Sequence, residues 1–334
     1  MIYEIFFLKI NRFLFYHLSG INTDMISSTL RFFDIAANLA SEHFQGIYNN
    51  KQLHPEDVNE VIQRAEQMGC KDFLFVGGDL KDSKRSFELS QRAPNFFCTI
   101  GVHPCRVMEI EAFGSLEKYI EEIERLIELF GPKCVMIGEC GLDYDLTHYA
   151  AKEYQIKCFP FHFDLAEKYN KPMYLHNRNT GDDFYQFVRE NRHKFNKGVV
   201  HTFDGDLDEL KKALALDLYI GISGCSLRDP ASFDVVKEIP LDKILLETDA
   251  PYCEIKTTHP GYKMVKTKYP NKKPEKHDKG FLVKGRNEPC NIIQVAEVVS
   301  EIRNISIEEL TEAAYKNTFQ LLGINENDIE TGNK

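Results

Sequence analysis

Four side chains that can bind a metal each follow a short apolar run. Val135-Met136-Ile137-Gly138 leads into Glu139, and Pro172-Met173-Tyr174-Leu175 leads into His176. Gly198-Val199-Val200 leads into His201, and Ile244-Leu245-Leu246-Glu247-Thr248 leads into Asp249. A carboxylate lying between two cations can bridge them with its two oxygens, as Glu139 could. The imidazoles offer neutral nitrogens, and Asp249 offers a hard oxygen. Mixed nitrogen and carboxylate ligation suits Zn²⁺, Mn²⁺ or similar ions, while an all-oxygen set suits Mg²⁺ better. A cation held there lowers the pKa of water toward neutrality and polarises a phosphoryl or carbonyl oxygen. Asp249 could take the proton of that water, although a nearby cation limits its basicity. His103, in Gly101-Val102-His103-Pro104, fits a turn residue and a phosphate contact or acid equally well. Arg178, two residues beyond His176, could grip a phosphate with two N–H groups.

Taken singly, a histidine at a strand end is more often structural, and an aspartate before Ala-Pro is more often a turn or cap. The joint placement of four ligand types at four strand ends is what points to chemistry, and it requires an architecture that makes distant strand ends converge. Eight apolar runs read as strands: Phe32–Asn38, Phe73–Val76, Phe96–Gly101, Val135–Gly138, Met173–Leu175, Val199–Val200, Leu218–Gly221 and Ile244–Glu247. Amphipathic stretches alternate with them at 56–68, 116–130, 153–169, 182–193, 207–215 and 231–237, followed by 290–303 and 307–322. Parallel strands need such crossovers, and eight of them predict a closed α/β barrel whose active face gathers the strand ends. An open doubly wound sheet competes, but no G-x-G-x-x-G follows the first strand.

The 334 residues accommodate one barrel with insertions, and 43% hydrophobic residues suffice for a large core. The net charge of -10 means that any nucleic-acid contact needs a local basic surface on an acidic body. Lys256 to Arg286 supplies one: nine lysines and Arg286 face only Glu275 and Asp278, and its prolines and glycines exclude long regular structure. Following the last strand, this stretch belongs on the active face, where it reads either as a solvated loop or as a phosphate-binding one. The nine cysteines are scattered without a CxxC pair, and Cys98, Cys134 and Cys158 sit in apolar contexts. This predicts a reducing compartment and no structural zinc site. Residues 1–30 read as an extension outside the barrel, with aromatic runs too short to span a bilayer and no clear signal peptide. Residues 31–323 form the predicted barrel, with the lysine-rich loop at 256–286, and residues 324–334 form a tail.

The set Asp34-Ile35-Ala36-Ala37-Asn38-Leu39, Gly101-Val102-His103-Pro104, Ile137-Gly138-Glu139-Cys140-Gly141-Leu142-Asp143, Leu175-His176-Asn177-Arg178, Val200-His201-Thr202-Phe203-Asp204-Gly205, Glu247-Thr248-Asp249-Ala250-Pro251 and Arg286-Asn287-Glu288-Pro289 resembles the TatD family of metal-dependent deoxyribonucleases. The resemblance is nearest to the eukaryotic TatD DNase domain-containing protein 1 branch. It implies a (β/α)8 TIM barrel of the metal-dependent hydrolase superfamily and divalent-metal-dependent cleavage of DNA, often as a 3′–5′ exonuclease. By this resemblance Glu139 is shared by up to two metal ions, with His176, His201 and Asp249 completing the ligands and Glu139 and Asp249 serving catalysis. His103 and Arg178 contact substrate phosphate, with Asn38 and Arg286 on the substrate side. Many relatives carry Asp-x-His-x-His where this chain has Ala36 and Asn38, which implies a weaker first metal site with a preference for an oxygen-seeking ion. Asn177 stands where Cys is frequent.

The leading reading is therefore a DNA phosphodiesterase using Mg²⁺ or Mn²⁺, with Zn²⁺ as a further candidate, acting on single strands. A related ester hydrolase such as a D-aminoacyl-tRNA deacylase would use the same site. A non-catalytic nucleic-acid-binding scaffold is the alternative from another class. DNA is the expected partner and a membrane is not. Nucleus or cytoplasm is the expected location, with organellar targeting by the extension as the other possibility.

Overall fold

A computed structural model describes residues 30–326, so expectations for the N-terminal extension and most of the C-terminal tail lie outside the described residues. Eight parallel strands lie in strict chain order: β1 (Phe32–Ala37), β2 (Cys70–Phe75), β3 (Phe96–Ile100), β4 (Cys134–Asp143), β5 (Met173–Arg178), β6 (Gly198–Val200), β7 (Tyr219–Ile222) and β8 (Ile244–Leu246). Beyond the end of β8, Ala250 bridges back to Ala37 in parallel, and the Asn38 N–H donates to the Ala250 carbonyl at 2.9 Å. The first and last strands thus meet and the sheet nearly closes. This bears out the predicted (β/α)8 barrel over the open sheet.

Two apolar layers follow from strand alternation. Residues such as Phe33, Ile35, Leu74, Met136, Tyr174, Val199 and Leu245 fill the barrel interior, while the opposite faces join the helices in a larger outer core. The surrounding helices are α1 (Val58–Gln67), α2 (Leu80–Ser90), α3 (Met108–Phe113), α4 (Leu116–Phe130), α5 (Lys152–Cys158), α6 (Pro160–Tyr169), α7 (Asp183–Asn191), α8 (Leu207–Ala215), α9 (Ser232–Glu238), α10 (Ile292–Arg303) and α11 (Ile307–Leu322). The predicted helix at 153–169 is divided at Phe159, where Pro160 begins the second piece without a backbone N–H to continue the first. Both α2 and α3 escaped the sequence reading. In α2 the core face is made of Ser83, Ser86 and Ser90 together with Leu80 and Leu89, so its apolar stripe is interrupted.

The longest departure is β4, which runs on through Glu139 to Asp143 rather than ending at Gly138. Glycines make this possible. A Cβ on Gly138 would lie 2.1 Å from the Tyr174 carbonyl oxygen, and one on Gly141 would lie 1.9 Å from that of His176. At φ of +136° and +149° only glycine is at ease, so β4 presses its backbone against β5 where the ligand residues sit.

The lysine-rich segment lacks long regular structure, as predicted. It folds as two 3₁₀ turns and a two-residue parallel pairing of Asn271–Lys272 with Leu282–Val283. Asn287 ties its return to the end of β8: its N–H donates to the Pro251 carbonyl and its side chain to the Thr248 carbonyl, both at 2.9 Å. The loop therefore leaves and rejoins the barrel beside Asp249. No described helix is long and apolar enough to cross a membrane.

Candidate metal centre

Three of the four expected ligands converge on one point. Glu139, projected from β4, has its Oε1 2.7 Å from His201 Nε2 and 3.0 Å from His176 Nδ1. The two ring nitrogens lie only 3.2 Å apart. Nitrogen lone pairs aimed at each other across a carboxylate oxygen repel unless a proton or a cation lies among them. Two imidazoles and a carboxylate therefore fit a divalent cation in donor type and in direction. Among the described residues these three form one group able to hold a metal ion.

What stands behind each ligand fixes its orientation. His176 turns its other nitrogen, Nε2, to Asp143 Oδ2 at 3.0 Å. Asp143 is itself pinned, its Oδ1 accepting the N–H groups of Asp145 and Leu146 at 3.0 and 3.1 Å. A carboxylate that holds one imidazole nitrogen protonated leaves the other free to ligate. His201 is stacked on Tyr174 at 4.9 Å between ring centroids, and Glu247 Oε1 lies 3.7 Å from its Nδ1. Glu247 is fixed by the Thr202 hydroxyl, which donates to its Oε1 at 2.7 Å. Asp143 and Glu247 appear in the quoted motifs but were not given roles. Their one signal in the sequence was nearness: Asp143 lies four residues after Glu139, and Glu247 two residues before Asp249.

Charge follows the same geometry. Burial opposes ionisation of Glu139, but the imidazoles of His103, His201 and His176 hold its carboxyl well below the usual range. Burial likewise opposes the charge on His176, yet hydrogen bonds and attraction from Asp143 and Glu139 raise it to about 10. A proton occupies this point when a cation does not, so cation binding must release it.

Asp249 stands beside this trio rather than within its tight group. It caps the end of β8 in the left-handed region, at φ +53°, and its Oδ1 accepts the Asn38 side-chain N–H at 2.7 Å. Burial, reinforced by Glu139 and Glu247, raises its carboxyl to about 7 against the pull of His201. Asn38 thus meets Asp249. Deeper in the same seam, Asp34 accepts the Thr248 N–H at 3.0 Å and is raised to about 6 chiefly by burial.

His103 lies at the mouth with its Nδ1 accepting the Cys105 N–H at 3.1 Å, which leaves the ring proton on Nε2, 3.5 Å from Glu139 Oε1. Burial lowers it to about 4, so it is a neutral N–H donor. Arg178 ends β5, partly exposed, with Nε donating to Asp145 at 3.0 Å.

Arg286 requires a correction. Its guanidinium is 2% exposed and makes paired bonds of 2.7 Å to both oxygens of Asp57, plus 2.9 Å to Glu288. Arg64 joins through Glu288 at 2.8 Å, and Phe44 lies under the Arg286 cation at 4.7 Å. This buried lattice clamps the end of the lysine-rich loop to α1. It does not offer Arg286 to a substrate phosphate, because the side chain is buried and both terminal nitrogens are bonded to Asp57, Glu288 and the His43 carbonyl. Glu288, paired with both Arg64 and Arg286, braces the return of the loop. The cysteines also differ from expectation in part: Cys98, Cys134 and Cys158 are buried, but Cys225 and Cys253 are joined in a disulfide.

The family model for TatD-related DNases matches residues 33–323. A Schizosaccharomyces pombe protein named Deoxyribonuclease Tat-D is 38% identical over 300 residues, covering 88% of this chain and 96% of that protein. A 3′-5′ ssDNA/RNA exonuclease TatD from Edwardsiella piscicida is 31% identical over 292 residues, covering 86% of this chain and 98% of that protein. The crystal structure of a TatD-family hydrolase from Entamoeba histolytica superposes with a TM-score of 0.82 at 36% identity, covering 88% of this chain and 98% of that one.

Proposed function

Because the chain belongs to the TatD-related DNase family, we propose that it is a divalent-metal-dependent deoxyribonuclease that removes nucleotides from the 3′ end of single-stranded DNA. The observation that carries this reading is the meeting of Glu139 Oε1, His176 Nδ1 and His201 Nε2 at the barrel mouth. Glu139, His176 and His201 would hold one cation, and Asp249, with Glu139 as the shared carboxylate, would hold a second. The nitrogen-bearing side favours Mn²⁺ or Zn²⁺. The Asp249 side, where Asn38 supplies an amide in place of an imidazole, favours Mg²⁺ or Mn²⁺. When bound, such cations activate water and neutralise charge on the phosphoryl group.

The chain's own residues do the rest. Asp143 keeps the His176 proton on Nε2 and Nδ1 open. Asp249 would act at Oδ2 as a ligand and as an acceptor of the water's proton, its basicity limited by the cation beside it. His103 offers an uncharged N–H at Nε2, suited to a phosphate oxygen or the leaving 3′ oxygen. Arg178 presents the exposed part of its fork to the neighbouring phosphate. Lys256, Lys263, Lys273, Lys276 and Lys284 are exposed on the loop that starts and ends beside Asp249, and they provide a path for the backbone of the strand. The 3′–5′ direction and the single-stranded substrate are supported by the similarity to the exonuclease relative.

The test is a 5′-labelled single-stranded oligonucleotide incubated with Mg²⁺, Mn²⁺ or chelator, beside a folded Glu139→Gln variant. A metal-dependent ladder that shortens from the 3′ end and vanishes in the variant is the expected result. Equal cleavage of closed circular duplex, or cleavage by the variant at the parent's rate, would refute it.

A further inference from the structure

We infer that Cys225 and Cys253 form a peroxide-responsive thiol pair that controls the metal affinity of Asp249. The pair joins the two loops that flank this carboxylate. Cys225 lies in the 3₁₀ turn Gly224–Leu227 that follows β7, and Cys253 lies four residues beyond Asp249, after β8. Their Cα atoms are 4.8 Å apart, within the span a disulfide requires. The loops touch along their backbones, since a Cβ on Gly224 would fall 2.1 Å from the Cys253 carbonyl oxygen. Asp249 and Cys253 both adopt left-handed backbone, at φ +53° and +52°, around Pro251. Only a tightly determined turn holds two such non-glycine residues, so the sulfur has little freedom to move away.

The sulfur of Cys253 lies 3.1 Å from Asp249 Oδ2, while Oδ1 is engaged by Asn38. The oxidation state therefore decides what Oδ2 meets. As a thiol, Cys253 places an S–H against Oδ2, a weak donor in the direction a cation must approach. As a disulfide it carries no hydrogen, and Oδ2 is free to ligate. Both cysteines are partly accessible, whereas six of the seven remaining cysteines are buried. A hydroperoxide is the natural oxidant class. One thiolate attacks the peroxide oxygen and breaks the O–O bond, giving a sulfenic acid and hydroxide, which takes up the proton the thiol had released to become the first water. The second thiolate displaces the hydroxyl from that sulfur, giving the disulfide and, with a proton, the second water. Two thiols are oxidised and one hydrogen peroxide is reduced.

The thiol chemistry stands apart from the nuclease reading, and only its effect on Asp249 rests on that site. The test therefore uses the full chain, reduced or treated with hydrogen peroxide, with cross-links mapped by mass spectrometry after alkylation and free Mn²⁺ counted by electron paramagnetic resonance. The oxidised protein is expected to contain the Cys225–Cys253 link and to bind Mn²⁺ at least threefold more tightly than the reduced protein. Cys225→Ser, in which Cys253 has no partner with which to form the link, is expected to bind Mn²⁺ no more tightly after peroxide than the reduced parent does. Failure of the link to form in folded protein, a smaller difference, or tighter binding by the reduced form would overturn the inference. An Mn²⁺ shift of the expected size without DNA cleavage in either state would uphold the thiol pair and refute the nuclease reading instead.

Discussion

Replacing Asp143 with asparagine separates the orientation of a ligand from its presence. The side chain is 1% exposed, and the substitution preserves its shape. The asparagine Oδ1 can still accept the N–H groups of Asp145 and Leu146, so the turn after β4 should survive. The NH₂ group then replaces Oδ2, 3.0 Å from His176 Nε2. An amide NH₂ only donates, so His176 must present a lone pair there and move its proton to Nδ1. That is the nitrogen 3.0 Å from Glu139 Oε1 and 3.2 Å from His201 Nε2, the point where a cation would sit. Ligation now requires the unfavourable tautomer and the loss of a charge-assisted hydrogen bond worth about 1.5–3 kcal/mol. At 1.4 kcal/mol per tenfold this is roughly 10- to 100-fold in metal affinity. The assay is an Mn²⁺ titration by electron paramagnetic resonance alongside nuclease rate against metal concentration. The variant should need roughly tenfold more metal or beyond, recover most of the parent kcat when saturated, and melt at the parent temperature. Unchanged Mn²⁺ affinity in a folded Asp143→Asn protein would show that Asp143 does not set the tautomer, and the argument for His176 as a Nδ1 ligand would fall.

Other consequences are open to the same kind of check. Arg286→Ala takes both paired bonds from Asp57 and leaves Glu288 only Arg64, and should cost about 3–5 kcal/mol in denaturant unfolding; a loss below about 1 kcal/mol would mean the cluster is not structural. His162 is buried with Nε2 accepting the Val102 N–H at 3.1 Å, and burial lowers it from 6.5 to about 4. The folded state therefore resists the proton that the unfolded state accepts, so this stability is complete above pH 6.5 and is lost as pH falls toward 4, by about 3 kcal/mol. His162→Gln should flatten that part of the stability-against-pH curve, and an unchanged slope would count against it. Replacing Lys273, Lys276 and Lys284 together with alanine should weaken single-stranded DNA binding and lower the salt slope by about 2, at about 0.7 per phosphate contact. A slope equal to the parent's would remove the loop from the DNA path.

The ligand positions were legible because each combined an apolar run with an abrupt polar end, and a parallel barrel makes strand ends coincide whatever their spacing in sequence. Glu139, His176, His201 and Asp249 could be placed for that reason. Helix α2 was not legible because three serines form part of its buried face and break the apolar period. The role of Asp143 was hidden by the length of β4: glycines at 138 and 141 usually signal an ending, whereas here they let the strand continue against its neighbour. Arg286 read as a surface cation because it closes a lysine-rich stretch. Its burial depends on Asp57 and Glu288, and only the fold brings Asp57 from α1's start to meet it. The Cys225–Cys253 pair, with a separation of 28 residues, follows from two loops that are neighbours only because β7 and β8 are.

The strict chain order of the strands also sets a schedule for synthesis. A ribosome delivers the Glu139, His176 and His201 strands first, but Asn38 waits near the start of the barrel for a partner that emerges only after β8. The seam between Ala37 and Ala250 therefore cannot be joined until β8 and the residues after it have been made. Until it forms, the nascent chain carries an open wall and lacks Asp249 of its four candidate ligands. A protein of this nuclease family would in this way lack a complete candidate site until almost the whole barrel has left the tunnel.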